Sequence, residues 1–293
     1  MRSYWMAALC VGVSGAAIAG PAFAQEEEIV VTARRTAENL QEVPASVSAF
    51  SEQTLERIGA ADSTGLQGSV PNLNIVQGRG SSNATNIFIR GVGQPDALQT
   101  FDPAVGFYVD DVYYSRIRGT QLDLFDIERI EVLRGPQGTL YGKNTIGGAL
   151  RVITRRPSQD PRGLFQVTVG DYGQLEARVS GSGPLTDTLA GGVSLFGASR
   201  DGYVTNPVTG EDYNDRNVGA GRAALAWNAT PSLSVDWAAD YARERNALVM
   251  GQPINTLTTL FGVPLLVLPP TPPEFDFTAT PTPGLPHSTE LTQ

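Results

Sequence analysis

The sequence predicts a β-rich chain in two parts: an α+β unit built on a small mixed sheet with short helices, then the first strands of an antiparallel transmembrane β-barrel, incomplete in this chain. Three observations predict it. From Gly163 onward, apolar and polar residues alternate in runs near the roughly 9 to 11 residues that a tilted membrane strand needs. Before that point, shorter apolar runs are separated by turn formers, in a chain with 32 glycines and 20 prolines. After Ala24, no continuous apolar run reaches the roughly 20 residues of a membrane helix, so a spanning chain must cross as strands.

The 293 residues suffice for one or two domains, with 41% hydrophobic and 17% charged residues. A net charge of −9 and the lack of a basic stripe argue against nucleic acid, whose phosphates demand clustered Lys and Arg. Arg2, the apolar stretch Trp5 to Ile18 and Ala22-Phe23-Ala24 predict a secretory signal peptide over 1–24, cut to leave Gln25 first. Its apolar run is too short for an anchor, and Leu9 before Cys10 departs from a lipoprotein site. Cys10 is the one cysteine, so the mature chain is expected to have neither disulfides nor thiolate metal sites. His287 is the one histidine, which excludes a histidine triad and a metalloenzyme; no catalytic residue, metal or cofactor is expected. On inventory alone, an enzyme working only through carboxylates stays open.

Gln25 is followed by three carboxylates and the β-branched run Ile29-Val30-Val31, which favours extended backbone without a nearby sequence to pair with. Such a segment is either a frayed terminus or a strand that docks on another protein's sheet edge. Val43, Pro44, Val47 and Phe50 predict an extended stretch and a strand, and Ser51 caps a helix over Glu52 to Ile58. A second short helix is predicted over Ser63 to Ser69, stopped by Pro71, then a strand over Asn72 to Gln77 and a polar loop over Gly78 to Asn86. Thr85 to Gly91 reads as a strand, with Ile87 and Ile89 on one face and Phe88 and Arg90 on the other. Val105 to Tyr114 predicts a hairpin about Asp110-Asp111, and Gln121 to Ile127 a last turn of helix.

Arg129 to Pro157 reads RIEVLRGPQGTLYGKNTIGGALRVITRRP. Both ends alternate as strands, and Gly135, Pro136, Gly138, Gly142, Gly147 and Gly148 punctuate the connection. Gly142-Lys143 resembles the end of a phosphate loop, but Gln137 and Asn144 stand where that loop needs Gly and Ser or Thr. The residues alone leave a Gly-rich connection in a small mixed sheet or a ligand-cradling loop. Five alternating runs follow, over Phe165 to Val169, Leu175 to Ser180, Leu189 to Ser199, Val218 to Asn228 and Leu233 to Arg243. A soluble sandwich shares this alternation; short turns at Pro184 to Asp187 and Thr230 to Ser232, against a long loop over Arg200 to Asn217, favour a barrel. The connection Gly170 to Gly173 is short and fits that rule less well. Beyond Ala247 the prolines predict an irregular loop, with Leu265 to Leu268 at most a brief edge strand.

The run LRGPQGTLYG followed by GG, a strand and ITRRP resembles the end of the plug domain of TonB-dependent outer-membrane receptors. The resemblance extends over the chain to about Arg245. It implies an α+β plug domain inside a barrel of about 22 strands. It divides the chain into a signal peptide (1–24), a periplasmic segment with a TonB box (25–39), the plug (40–157), about five barrel strands (158–245) and a Pro-rich extracellular loop (246–293). Glu28, Ile29, Val30, Val31, Thr32 and Ala33 resemble the TonB box, implying TonB, with its ExbB and ExbD energy-coupling complex, as partner. Arg90 and Arg134, of the IRG and LRGP motifs, are implied to pair with barrel glutamates. Gly91, Gly135, Pro136, Gly138, Tyr141, Gly142, Gly147 and Gly148 are the plug-motif positions. The implied activity is import of a siderophore-iron complex or another small-molecule nutrient across the outer membrane, with lipid around the barrel and the N-terminus in the periplasm. A plug-type binding module without transport is the alternative. Five strands cannot close such a barrel, so the chain is expected to be a fragment. Two residues depart from the family's pattern: Asp111 stands where relatives usually show Gly, and Arg151 where they usually show Asn.

Overall fold

The structure is a computed structural model that describes residues 30–78, 83–95, 101–120, 125–206 and 209–249, with the backbone of 259–260, 263–264 and 288–292. The N-terminal segment is not a free strand. β1 (Val30–Val31) pairs antiparallel with β2 (Glu38–Asn39), Val30 opposite Asn39 and Val31 opposite Glu38. This corrects the expectation that nothing nearby pairs with it. The reversal turns at Arg35, whose φ of 62° is left-handed, a position that sequence usually marks with Gly or Asn.

A five-stranded mixed sheet forms the first part, fed by β3 (Val47–Ser51), which leads into α1 (Glu52–Arg57). The Ser51 hydroxyl accepts from the Thr54 amide at 3.4 Å, the cap that the sequence predicts. The second helix shrinks to one 3₁₀ turn over Ser63–Leu66, capped by Asp62. Next, β4 (Leu73–Gln77), β5 (Thr85–Ile89) and β6 (Val92–Gly93) make a small antiparallel sheet. Ile89 faces Val92, so Arg90 and Gly91, at φ 53° and 80°, are the two residues of a tight turn. Arg90 therefore leaves the strand on which the alternation placed it.

β7 (Val105–Val109) and β8 (Val112–Tyr114) form the expected hairpin about Asp110 and Asp111, at φ 45° and 68°. β9 (Ile127–Arg134) and β10 (Gly148–Thr154) complete the sheet in the order β3-β9-β10-β7-β8, parallel only between β10 and β7. The helix expected at Gln121 to Ile127 is replaced at Ile127 by strand, and 121–124 lie outside the described residues. Between β9 and β10, Gly138–Tyr141 forms a one-turn helix, α2, which the Gly-rich sequence conceals. The apolar core lies between the sheets and α1, with Leu55, Leu66, Ile75, Ile89, Ile130 and Leu150 buried in it.

The second part is one antiparallel wall. β11 (Arg162–Gly170), β12 (Gln174–Pro184) and β13 (Leu189–Arg200) are followed by a small hairpin of β14 (Val204–Thr205) and β15 (Asp212–Tyr213), where a plain loop is expected. β16 (Arg216–Thr230) and β17 (Leu233–Ala247) extend the wall, and β18 (Thr259–Leu260) pairs with β19 (Val263–Pro264) apart from it. β20 (Ser288–Thr292) then pairs with β17, Arg243 opposite Thr292, in the region expected to be loop throughout. The prolines end at Pro286, and Thr-rich sequence after them is free to join a ladder. Leu265 to Leu268 and His287 lie outside the described residues.

Register gives the wall two faces. Phe165, Val179, Leu195, Gly221 and Tyr241 align across it, and Phe165 is 75% exposed. The next row, Gln166, Arg178, Phe196, Ala220 and Ala242, faces the first part of the chain. There Phe125 stacks on Phe196 at 5.5 Å between centroids, with the planes 10° apart. Phe196 is buried, which contributes about 1.5–3 kcal/mol for a side chain of that size. The apolar face thus points away from the small sheet and the small or polar face points toward it, as in a lipid-facing wall with something packed inside.

Candidate functional site

Glu131 sits at the centre of β9 and Arg151 directly opposite on β10. Glu131 is 0% exposed and Arg151 3%, so each charge is tolerable only with partners. Arg151 donates to Glu131 Oε2 at 2.6 Å, to Asp111 Oδ1 at 2.8 Å and to Thr32 Oγ1 at 3.0 Å. The Thr32 amide donates to Glu131 Oε1 at 2.8 Å. Arg129 completes the set, donating to Glu131 Oε1 at 2.9 Å and Thr32 Oγ1 at 3.0 Å. Burial disfavours the Arg151 charge, but Glu131, then Tyr141 and Asp111, outweigh it, holding the guanidinium above its ordinary pKa.

The neighbouring residues are held as firmly. Val31 and Ala33 are buried in an apolar cluster with Val43, Tyr108, Leu133 and Tyr141. The Tyr141 hydroxyl donates to the Ala33 carbonyl at 2.6 Å, and Tyr108 donates to the Tyr141 carbonyl at 2.6 Å. Burial pushes both phenol pKa values up, so both stay protonated donors. Arg35 reaches the Leu140 carbonyl at 3.1 Å and lies 5.2 Å from the Tyr141 ring centre. α2, invisible in the sequence, is the element that aims Tyr141 at this segment.

Of the candidate coupling residues, Val30, half-exposed, Val31, Thr32 and Ala33 come together on the five-stranded sheet, while Glu28 and Ile29 lie outside the described residues. Arg90 and Arg134 stand outside this network. A Cβ on Gly135 would lie 3.5 Å from the Arg90 guanidinium, and neither arginine has a carboxylate partner among the described residues. The Arg134 Nε is buried without a hydrogen bond. Gly91 lies in the turn beside Arg90, and Pro136 and Gly138 lead into α2. Gly135 and Gly142 have φ of 105° and 80°, and Gly147 would place a Cβ 2.9 Å from the Val92 carbonyl. Gly148 is the most constrained: its φ is 147° and a Cβ would meet the Leu133 carbonyl at 2.2 Å.

The five-stranded sheet is also tied to the wall. Asp110 accepts from the Thr154 amide at 2.9 Å and from Arg222 on β16 at 2.9 Å, and Arg222 also donates to Asp240 at 2.6 Å. Asp126 lies 4.0 Å from Arg222, and burial raises its pKa above the ordinary carboxylate value. Arg155 pairs with Glu52, and Arg156 donates to Asp236 at 2.6 Å. At the end of the wall carrying the β14–β15 hairpin, a polar cavity of ≈ 230 Å³ opens between Asp62, Gln77, Arg200, Tyr203, Asp215 and Glu244. Sequence reading missed Glu131, Arg129 and the Asp110–Arg222 pair. Opposite charges in mid-strand on β9 and β10 were the available signal for Glu131, whereas Arg222 meets Asp110 only through the fold.

A small mixed sheet with a fastened N-terminal strand, packed on the polar face of an outwardly apolar wall, defines a plug-and-barrel membrane receptor. Residues 39–149 match the family described as TonB-dependent Receptor Plug Domain. The pesticin receptor of Yersinia pestis is 34% identical over 236 residues, 78% of this chain and 34% of that protein. The vitamin B12 transporter BtuB of Vibrio vulnificus is 30% identical, over 64% of this chain and 30% of its own. The crystal structure of the ferric yersiniabactin uptake receptor FyuA from Yersinia pestis superposes with a TM-score of 0.64 at 32% identity, over 71% of this chain and 33% of that one. The ferripyoverdine receptor of Pseudomonas aeruginosa, at 17% identity and TM-score 0.64, shares the fold. The chain belongs to the TonB-dependent outer-membrane receptor family and spans about a third of the length of the curated relatives it matches.

Proposed function

We propose that this protein takes part in TonB-dependent import of a metal chelate of the siderophore class across the outer membrane, and is not an enzyme. The observation that carries this reading is the fastening of Val30–Ala33 onto a plug sheet that is itself tied to a membrane-type wall. In this reading 1–24 is a signal peptide, 25–39 the coupling segment, 40–157 the plug and 158–245 barrel wall. TonB, powered by ExbB and ExbD, pairs with the backbone of Glu28 to Ala33 from the periplasm. The cavity lined by Arg200 and Tyr203 then faces outward, where its mixed charges suit a polar chelate. Lipid covers the row from Phe165 to Tyr241. The siderophore class is favoured because the relatives named for iron uptake are among those most similar in sequence and in fold. Arg90 and Arg134 face carboxylates of the barrel in this reading.

Uptake of radiolabelled ferric yersiniabactin, with cobalamin as the comparison, by cells expressing the protein from its own gene tests the reading. Uptake is expected to need TonB and to be lost in Val31→Pro, which removes a backbone donor, while surface binding of the chelate is kept. Uptake retained in Val31→Pro overturns the coupling role. Release of the protein from outer membranes by a salt wash would instead support a binding module without transport.

A further inference from the structure

Asp110 and Asp111 are the two residues of one tight turn, both left-handed, and each carboxylate holds a different buried arginine. Asp111 holds Arg151 at 2.8 Å, and Asp110 holds Arg222 of the wall at 2.9 Å. Arg151 in turn reaches Thr32 of the coupling segment and Glu131, whose other oxygen takes the Thr32 amide. One continuous chain of charge-assisted hydrogen bonds therefore runs from β16 through a two-residue turn to Thr32.

We propose that Arg151 is a positioning residue that pins the coupling segment to the plug, and that the Asp110-Asp111 turn links this pin to the wall through Arg222. Moving β16 away from Asp110 leaves the turn held by Thr154 alone, lets Asp111 draw back from Arg151 and loosens Thr32. Losing Arg151 leaves Thr32 with Arg129 and Glu131 only. The consequence for coupling rests on reading Val30–Ala33 as the TonB-binding strand; the pin itself does not.

Amide hydrogen exchange on the full chain in detergent, read by mass spectrometry over residues 30–35 with β9 and β10 as internal controls, tests it. Arg151→Asn is expected to speed exchange of 30–33 about tenfold or more, and Asp111→Gly about threefold to tenfold, for the loss of charge-assisted bonds. Gly fits the φ of 68° at position 111, so that variant keeps the turn. Arg222→Gln, which touches nothing in the segment, is expected to speed it about twofold. If Arg151→Asn also exposes β9 and β10, Asp111→Gly decides. Unchanged exchange of 30–33 in Asp111→Gly overturns the pin, and unchanged exchange in Arg222→Gln alone overturns the link to the wall. Binding of the periplasmic domain of TonB should strengthen in the same order. Faster exchange without stronger binding upholds the pin and overturns the assignment of Val30–Ala33.

Discussion

Two groups of arginines in the plug behave in opposite ways. Arg129 and Arg151 donate to Glu128, Glu131, Thr32 and Asp111, all inside the chain, although the Arg151 Nε itself stays buried and unbonded. The Arg90 guanidinium lies beside Gly135, next in sequence to Arg134, and neither arginine has a carboxylate among the described residues. The first group therefore holds the plug and its N-terminal strand together, and the second contributes little to either. Charges hold a structure together where carboxylate partners meet them in a dry place, and elsewhere a charge is a cost or a handle.

The sharpest way to break the comparison is Glu131→Ala, which removes the buried carboxylate shared by Arg129 and Arg151, leaves them Glu128 and Asp111, and should destabilise the plug by about 3 kcal/mol. Trp227 and Trp237 both sit in the wall, so plug stability is followed by hydrogen exchange of β9 rather than by tryptophan fluorescence. Replacing the pair together, as Glu131→Leu with Arg151→Met, removes both charges and should recover about 2 kcal/mol or more of that loss. Sheet stability and attachment of Thr32 then separate, because only the second depends on the charges.

A smaller effect belongs to Asp126, at the seam with the wall. Burial raises its folded pKa above 3.8, so the folded state binds this proton more tightly than the unfolded one. Its contribution to stability falls as pH rises from 3.8 through the raised value and stays low above it. Asp126→Asn should therefore melt higher than wild type at pH 7, with the difference shrinking as pH falls through the raised value toward about 3.8. Asn also tolerates the φ of 54° at this position. The smallest effect is Arg90→Asn, expected within about 0.5 kcal/mol of wild type for an exposed site without a carboxylate partner among the described residues. A loss comparable to that of Glu131→Ala would erase the distinction between the two groups.

Period and turn chemistry were enough for much of this fold. All five wall runs, the Ser51 cap and the Asp110-Asp111 turn can be read from residues, because alternation and short-range hydrogen bonds are written locally. The β1–β2 pairing cannot, since Arg35 turns the chain where no Gly or Asn announces it. α2 is hidden for a related reason: Gly138 starts a helix that Gly142 ends four residues later, with tertiary contacts to Tyr141 supplying what propensity does not. In the candidate site, the segment Val30 to Ala33 was legible as a strand, but its attachment was not. Thr32 and Glu131 are 99 residues apart, a separation no local pattern reports.

The β1–β2 ladder has only two residue pairs, Val30 with Asn39 and Val31 with Glu38, and the chain enters at its open end. A pull on residues before Val30 loads these pairs one after the other rather than side by side, so the ladder unzips at low force. The tension then reaches Thr32 and Ala33, where side-chain bonds to Glu131, Arg129, Arg151 and Tyr141 share it in parallel. The mechanical strength of this terminus thus resides in four side chains of the sheet and α2, and its backbone pairing serves as slack.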